Sequence, residues 1–236
     1  MTKFYKFLIP TIVILISVSC KKEENSNFTL KGEIKGLKKG IVYLQKDGDS
    51  SIVNLDSMAI NGQPEFTLKT TIDEPILLYL KLFKSDDDEH YIPFFADEGV
   101  TEIKTTLKNF SYDAEVKGSK QQDLLNEYTK VMSNFNNQNL DIIEASFLAQ
   151  KNNDSITVDS LNKASETLLK RKYSFTIQFA INHKDNIIAP YLALYEMPSA
   201  NPVYVDSVYN GLNDDVKNSF YGKKLGKFIE NRKVEN

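Results

Sequence analysis

Residues 116–135 read VKGSKQQDLLNEYTKVMSNF, and the period of the apolar residues changes inside them. Up to Gly118 the chain runs in short stretches where apolar and polar residues alternate. Beyond it, Leu124/Leu125, Tyr128, Val131/Met132 and Phe135 recur at intervals of three and four, the spacing of one helix face. Ser119 stands at the switch. Ser119-Lys120-Gln121-Gln122 fits a capping box: the serine oxygen accepts from a free N–H of the first turn while Gln122 reaches back. A period that changes once and does not return describes two regions in series. The expected fold class is α+β, an N-terminal antiparallel β-sandwich or barrel-like domain of about eight strands followed by a C-terminal helical region.

Working back from Gly118, the strand candidates are YDAEVKG, VTEIKTTL, YIPFFA, PILLYLKLF, EFTLKT, SIVNLDSMAI, IVYLQK and FTLKGEIKG. Turn signals separate them: DEG, KSDDDEH, DEP and Asn61-Gly62. Leu77-Leu78-Tyr79-Leu80 is apolar on both faces, which predicts a central strand. Gln63-Pro64-Glu65 lengthens the turn before Phe66 and is expected to open that hairpin. Working forward, Asn136-Asn137-Gln138-Asn139 predicts a break or kink in the first helix before Ile142–Gln150 resumes. Asn152-Asn153-Asp154 reads as a loop. A second helix is expected over 158–182, with Leu161, Ala164, Leu168, Phe175 and Phe179 on one stripe, and shorter helices over 187–196, 202–211 and 219–231.

The N-terminus carries a different signal. Lys3 and Lys6 precede FLIPTIVILISVSC, residues 7–20, whose last residue is the only cysteine of the chain. A positive start, an apolar run of about a dozen residues and small residues before the cut make a secretory signal peptide. The run is shorter than the roughly 20 apolar residues needed to span a bilayer, and Pro10 interrupts it. Val18 and Ser19 before Cys20 resemble the lipobox of bacterial lipoproteins, although Ser17 stands where leucine is usual. That resemblance implies diacylation of Cys20 and removal of residues 1–19. The expected organisation is a lipoprotein-type signal peptide (1–19), a flexible tether (20–26), an antiparallel β domain (27–118) and a helical region (119–236). Lys21-Lys22-Glu23-Glu24 is similar to the lysine-then-acidic export signal of surface lipoproteins in one Gram-negative phylum.

Composition narrows the function. Of 29 basic residues two lie in the signal, so the mature chain has 27 against 32 acidic residues, a balance of −5. No basic stripe exists, so a nucleic-acid partner is not expected. With Cys20 given to lipid, the mature chain has no thiol for a disulfide, a C-x-x-C pair or a zinc set.

Several longer strings carry a family resemblance. FxLKGxIxGLxxGxVYL (Phe28 to Leu44), LDSMAINGxxxF (Leu55 to Phe66), PxLLYLxL (Pro75 to Leu82), Gly99 before an alternating strand and VKGS (Val116 to Ser119) resemble the domain of unknown function that precedes thioredoxin-like domains in secreted thiol–disulfide oxidoreductase lipoproteins. IAPYLALYEM and SFYGKKLGKFIE are similar to the segment linking that domain to the thioredoxin module. The resemblance implies a redox C-x-x-C beyond the helical segment, which this sequence does not contain.

The candidate sites are few. Asp86-Asp87-Asp88-Glu89-His90 is the densest acidic cluster, but neighbours in an extended segment point to opposite faces, so it reads as a solvated hairpin tip. Asp47-Gly48-Asp49-Ser50-Ser51 begins like a calcium loop but has Ile52 where glycine and Met58 where glutamate are required, and reads as a turn. Asp56-Ser57 lacks a nearby base and reads as a strand-end hydrogen bond, with His90 and His183 the only histidines. Tyr91, Phe94 and Phe95, and Tyr191, Tyr195, Tyr204 and Tyr209, form either core or a ligand surface, core being favoured. Lys223, Lys224 and Lys227 read as the basic last turn of a helix.

No catalytic residue, metal site or cofactor is therefore expected, and Cys20 is the one functional residue, through lipidation. The expected protein is a lipid-anchored lipoprotein of the cell envelope, in the outer membrane on its periplasmic or surface face. It serves as a binding or accessory module for an envelope partner or ligand. The alternatives are an accessory subunit of a thiol–disulfide oxidoreductase system acting in trans, and a hydrolase with an unrecognised site.

Overall fold

The computed structural model describes residues 26–48, 51–84, 90–197 and 200–234. The expected signal segment, Cys20, Lys21–Glu24, Asp49, Ser50 and the acidic run Asp86–Glu89 lie outside the described residues. Eight strands come first: β1 (Phe28–Lys35), β2 (Lys39–Asp47), β3 (Ile52–Asn61), β4 (Glu65–Thr70), β5 (Ile76–Phe83), β6 (His90–Ala96), β7 (Gly99–Thr106) and β8 (Glu115–Lys117). Six helices follow: α1 (Lys120–Lys151), α2 (Ser155–Asn182), α3 (Ile188–Tyr195), α4 (Pro202–Gly211), α5 (Asp214–Asn218) and α6 (Phe220–Val234).

The strands form two four-stranded sheets, ordered β4-β1-β7-β8 and β3-β2-β5-β6. Their inward side chains meet in one core, with Leu30, Leu44, Leu68, Leu80 and Phe94 fully buried. Alternation explains this: on β1, Phe28, Leu30 and Ile34 point in while Lys31 and Lys35 are exposed. Gly32 takes an inward position too, because the Phe66 ring lies where its Cβ would be. The lengthened turn at Gln63–Glu65 is indeed open: β3 and β4 belong to different sheets, and the Pro64 carbonyl accepts from Ile34 N at 3.0 Å. One ladder departs from the antiparallel expectation. β1 and β7 run parallel over their whole length, from Phe28↔Gly99 to Lys35↔Thr106. Alternating burial is the same in both pairings, so side-chain pattern carries no trace of strand direction.

β5 is an interior strand, as its apolar run predicts, and both its faces are used. Leu78, Leu80 and Leu82 enter the sandwich core, while Leu77, with Phe95 of β6, joins a second core made by α1, α2, α3 and α6. A third cluster holds α3 to α6 together around Val205, Val208 and Leu225.

α1 is a single helix of 32 residues, about 48 Å long at 1.5 Å per residue. The expected break at Asn136–Asn139 does not occur. Each asparagine costs only about 0.7 kcal/mol relative to alanine, and packing against α2 outweighs that small sum. The loop at Asn152–Asp154 does form, with Asn153 left-handed at φ 57° and Asp154 Oδ1 accepting from Thr157 N at 3.1 Å. α2 therefore begins at Ser155, a turn earlier than its apolar stripe, and α5 is a short helix that no periodicity announced.

Candidate functional site: the seam between sandwich and helices

The outer face of β5–β6 meets the helices through a set of buried hydrogen bonds. β6 is an edge strand, so the Phe95 N–H finds no strand partner and donates instead to Gln122 Oε1 at 2.8 Å. This corrects the capping-box expectation in one half. Ser119 Oγ does accept from Gln122 N at 3.1 Å, but the Gln122 side chain turns to the sheet and to Asn126. The first two N–H groups of that turn are served by Asp97, whose Oδ2 accepts from Lys120 N at 2.7 Å and Gln121 N at 3.4 Å. Gln121 Oε1 accepts from Ile188 N at the start of α3, and Tyr221 Oη accepts from Leu77 N at 3.2 Å. Glu74, in the β4–β5 loop, accepts from Phe220 N with both oxygens, placing negative charge at the N-terminus of α6.

Around these bonds lies an aromatic group. Phe95 packs edge-on to Tyr191 at 4.9 Å and to Tyr221 at 6.0 Å, and Tyr191 contacts Tyr195 and Tyr221. Tyr79 Oη donates to Asp47 Oδ2 at 3.1 Å. Burial pushes the Tyr191 phenol up to about 12, helped by the negative charge of Glu196. Burial also raises Tyr79, where Asp47 adds to it, and Tyr221. These phenols are held protonated and serve as hydrogen-bonding and packing groups rather than bases. Beside them a cleft of about 420 Å³ opens between Lys46–Gly48, the 71–74 loop and Phe220.

The sequence candidates fall as follows. Tyr191 and Tyr195 come together here, whereas Tyr209 packs with the α3–α6 cluster and Tyr204 is exposed. Phe94 and Phe95 point to opposite faces of β6, both as core, and Tyr91 lies under Lys81. Gly48 N donates to Ser51 O at 2.9 Å, as a turn should. Asp56 accepts from Ser57 N and from Lys69 N of β4, so it bridges the two sheets by hydrogen bonds to backbone. His90 opens β6 with its ring 5.9 Å from Phe110, and His183 Nδ1 lies 2.8 Å from Phe179 O. The lysine expectation is corrected: Lys223, Lys224 and Lys227 occupy the first two turns of α6, not its last. Lys224 Nζ donates to Tyr195 Oη at 2.6 Å and sits over the Tyr195 and Phe220 rings, which offsets its unfavourable place on the dipole. Glu74 and Tyr221 were not singled out from sequence, and Gln121 and Gln122 were read only as part of a helix cap. The capping signature marked the place but not the partner.

Among the described residues no group of three or more His, Cys, Asp or Glu converges to hold a metal, and no helix is long and apolar enough to cross a membrane. What the seam does is join the outer face of β5–β6 to the helices by buried hydrogen bonds and packed rings, with aromatic and charged groups at its rim. Residues 28–125 match a domain of unknown function, DUF4369. The match takes in all eight strands and the start of α1, so it includes Asp97, Gln121 and Gln122 but leaves the rest of the helical region outside. No curated protein and no solved structure matches the chain.

Proposed function

We propose that the protein is an extracytoplasmic lipoprotein of the outer membrane, held by a diacylated Cys20, whose sandwich and helices serve as a binding or accessory module for an envelope partner. The observation that carries this reading is the lone cysteine placed directly after an apolar run ending in Val18-Ser19. Two acyl chains give stable anchoring, at about 0.8 kcal/mol per buried methylene, whereas one does not. The seam supports a binding role because it joins sandwich and helices and gathers aromatic and charged groups beside an open cleft. The test is Cys20→Ser. The wild-type product should begin at residue 20, carry a diacylglycerol mass and enter a detergent phase, and the variant should lose all three. A variant as membrane-bound as wild type ends the reading.

The DUF4369 match, together with the strings at Phe28–Leu44 and Leu55–Phe66, favours a second reading in which the partner is a thioredoxin-like oxidoreductase acting in trans. Capture from membranes with the tagged, lipidated protein separates the two. A thioredoxin-like protein recovered reproducibly supports the second, another single envelope partner supports the first, and bulk lipoproteins alone count against both.

A further inference from the structure

The place where the tether meets the folded body is fixed with unusual care. Asn27 Oδ1 accepts from Ile72 N at 2.9 Å and Asn27 Nδ2 donates to Ile72 O at 2.8 Å, so the side chain mimics a strand partner. Asn27 Nδ2 also donates to Glu98 Oε1, and Asn27 O accepts from Gly99 N at 2.8 Å. Ile72 is itself part of the wall of the 420 Å³ cleft, so the N-terminal segment leaves the body at the rim of that cleft. The cleft has an apolar side made by Val53, Leu55, Ile76 and the partly exposed Phe220, and a charged rim of Asp47, Asp73 and Lys46. Glu74 is committed to the Phe220 N–H.

We infer that this cleft is the docking site of the chain's own tether, with Lys21 and Lys22 against Asp73 and Asp47 and the following Glu23-Glu24 toward Lys46. Lys22 lies five residues before Asn27, a reach of at most about 17 Å in an extended chain, which spans a cleft of this size. The two lysines that lead the tether are complementary in charge to a lining that carries three carboxylates, Asp47, Asp73 and Glu74, against the single Lys46. Tethering makes the contact intramolecular, so weak surface pairs suffice to populate it, and salt weakens them. Docking would hold the sandwich close to the bilayer in one orientation and withdraw the tether from proteases. The inference deepens the anchored reading and rests on it for the membrane end of the tether. The contact itself requires only residues 21–27.

A glutamate-specific protease cuts after Glu23 and Glu24 and reports whether the tether is held. With the full lipidated chain at low salt, Asp73→Lys should raise the cleavage rate about threefold or more, the size expected of lost surface pairs. Lys21→Asp with Lys22→Asp, which adds no glutamate to the tether and changes nothing in the folded body, should do the same, and combining the three changes should restore wild-type protection. Equal rates in all four proteins, or a triple variant that is not rescued, overturn the inference. Protection that grows with protein concentration assigns the cleft to a neighbouring copy's tether and overturns it too. Repeating the series on purified Cys20→Ser protein separates this question from anchoring: the rate pattern judges the docking, and the variant's membrane partition judges the anchor.

Discussion

The two faces of the β5–β6 pair lie one sheet apart and are held by different means. On the inner face Leu78, Leu80 and Phe94 close a hydrocarbon core, with Phe94 stacked on Phe28 at 6.4 Å. Alternation along the strands delivers these residues there without further instruction. On the outer face Leu77 and Phe95 are just as apolar, but their own backbone N–H groups are buried beneath the helices. Those groups must be answered by Gln122 and Tyr221. The sandwich is thus specified by pattern, and the attachment of the helices by individual polar partners.

Truncating each face gives the largest effects and tests the contrast directly. Phe94→Ala and Phe95→Ala each empty a fully buried ring and should each cost about 3–5 kcal/mol in denaturant unfolding. They should differ in what is lost. Phe94→Ala should weaken hydrogen-exchange protection throughout the strands. Phe95→Ala should first release protection in α1 and α3 while β1, β2 and β7 keep theirs. Uniform loss in both variants would mean that the two faces are one cooperative core.

Gln122→Leu comes next. It preserves apolar volume but leaves the Phe95 N–H buried without an acceptor, at a cost of about 1–3 kcal/mol. Exchange of the Phe95 amide should accelerate far more than that of its neighbours. An unchanged amide would show that the hydrogen bond does not fix the seam. The same face also responds to pH. Tyr191 keeps its proton up to about 12 in the folded protein because of burial, whereas an unfolded tyrosine loses it near 10. Above pH 10 the unfolded state therefore binds fewer protons, and stability falls as pH rises from 10 to 12, having been constant with respect to this group below 10. Tyr79 and Tyr221 steepen the fall, since their phenols are raised as well. Tyr191→Phe should flatten the profile over that window in thermal melts followed by circular dichroism.

This contrast also explains what could be read from the sequence. The strands were legible because one residue in two reports its own environment, and Leu77-Leu78-Tyr79-Leu80 even announced a sheet covered on both sides. Ser119 was legible as a cap because the N–H it serves is three residues away. Gln122 was not, because its acceptor role depends on Phe95, 27 residues back on an edge strand whose edge only the fold creates. Lys223 and Lys224 were assigned to the wrong end of a helix whose expected start, 219, lies one residue from the observed Phe220. The start of α6 is set by Glu74, 146 residues away in sequence, and by Ser219, whose Oγ accepts from Gly222 N. Asn136–Asn139 misled in the other direction, being a local helix weakness overridden by packing on α2. The parallel β1–β7 ladder left no local mark at all.

The smallest effect is expected at the far end of the α1–α2 hairpin, and it sharpens the comparison from outside. There α1 is apolar on two sides. Buried Ala149 and half-buried Ile142 and Ala145 form its inner side, while Leu140, Ile143 and Phe147 stand 62, 55 and 68 % exposed at intervals of three and four. Near the sheet, by contrast, Met132 is buried in the second core. Met132→Ala should cost about 2–5 kcal/mol. Phe147→Ser, which loses no buried contact, should stay within about 0.5 kcal/mol. Equilibrium unfolding of both variants at low and high protein concentration decides the matter. If Phe147→Ser costs as much as a core truncation, and more so at high concentration, the stripe is covered in solution by another copy. The seam would then be only one of two surfaces that α1 has to satisfy.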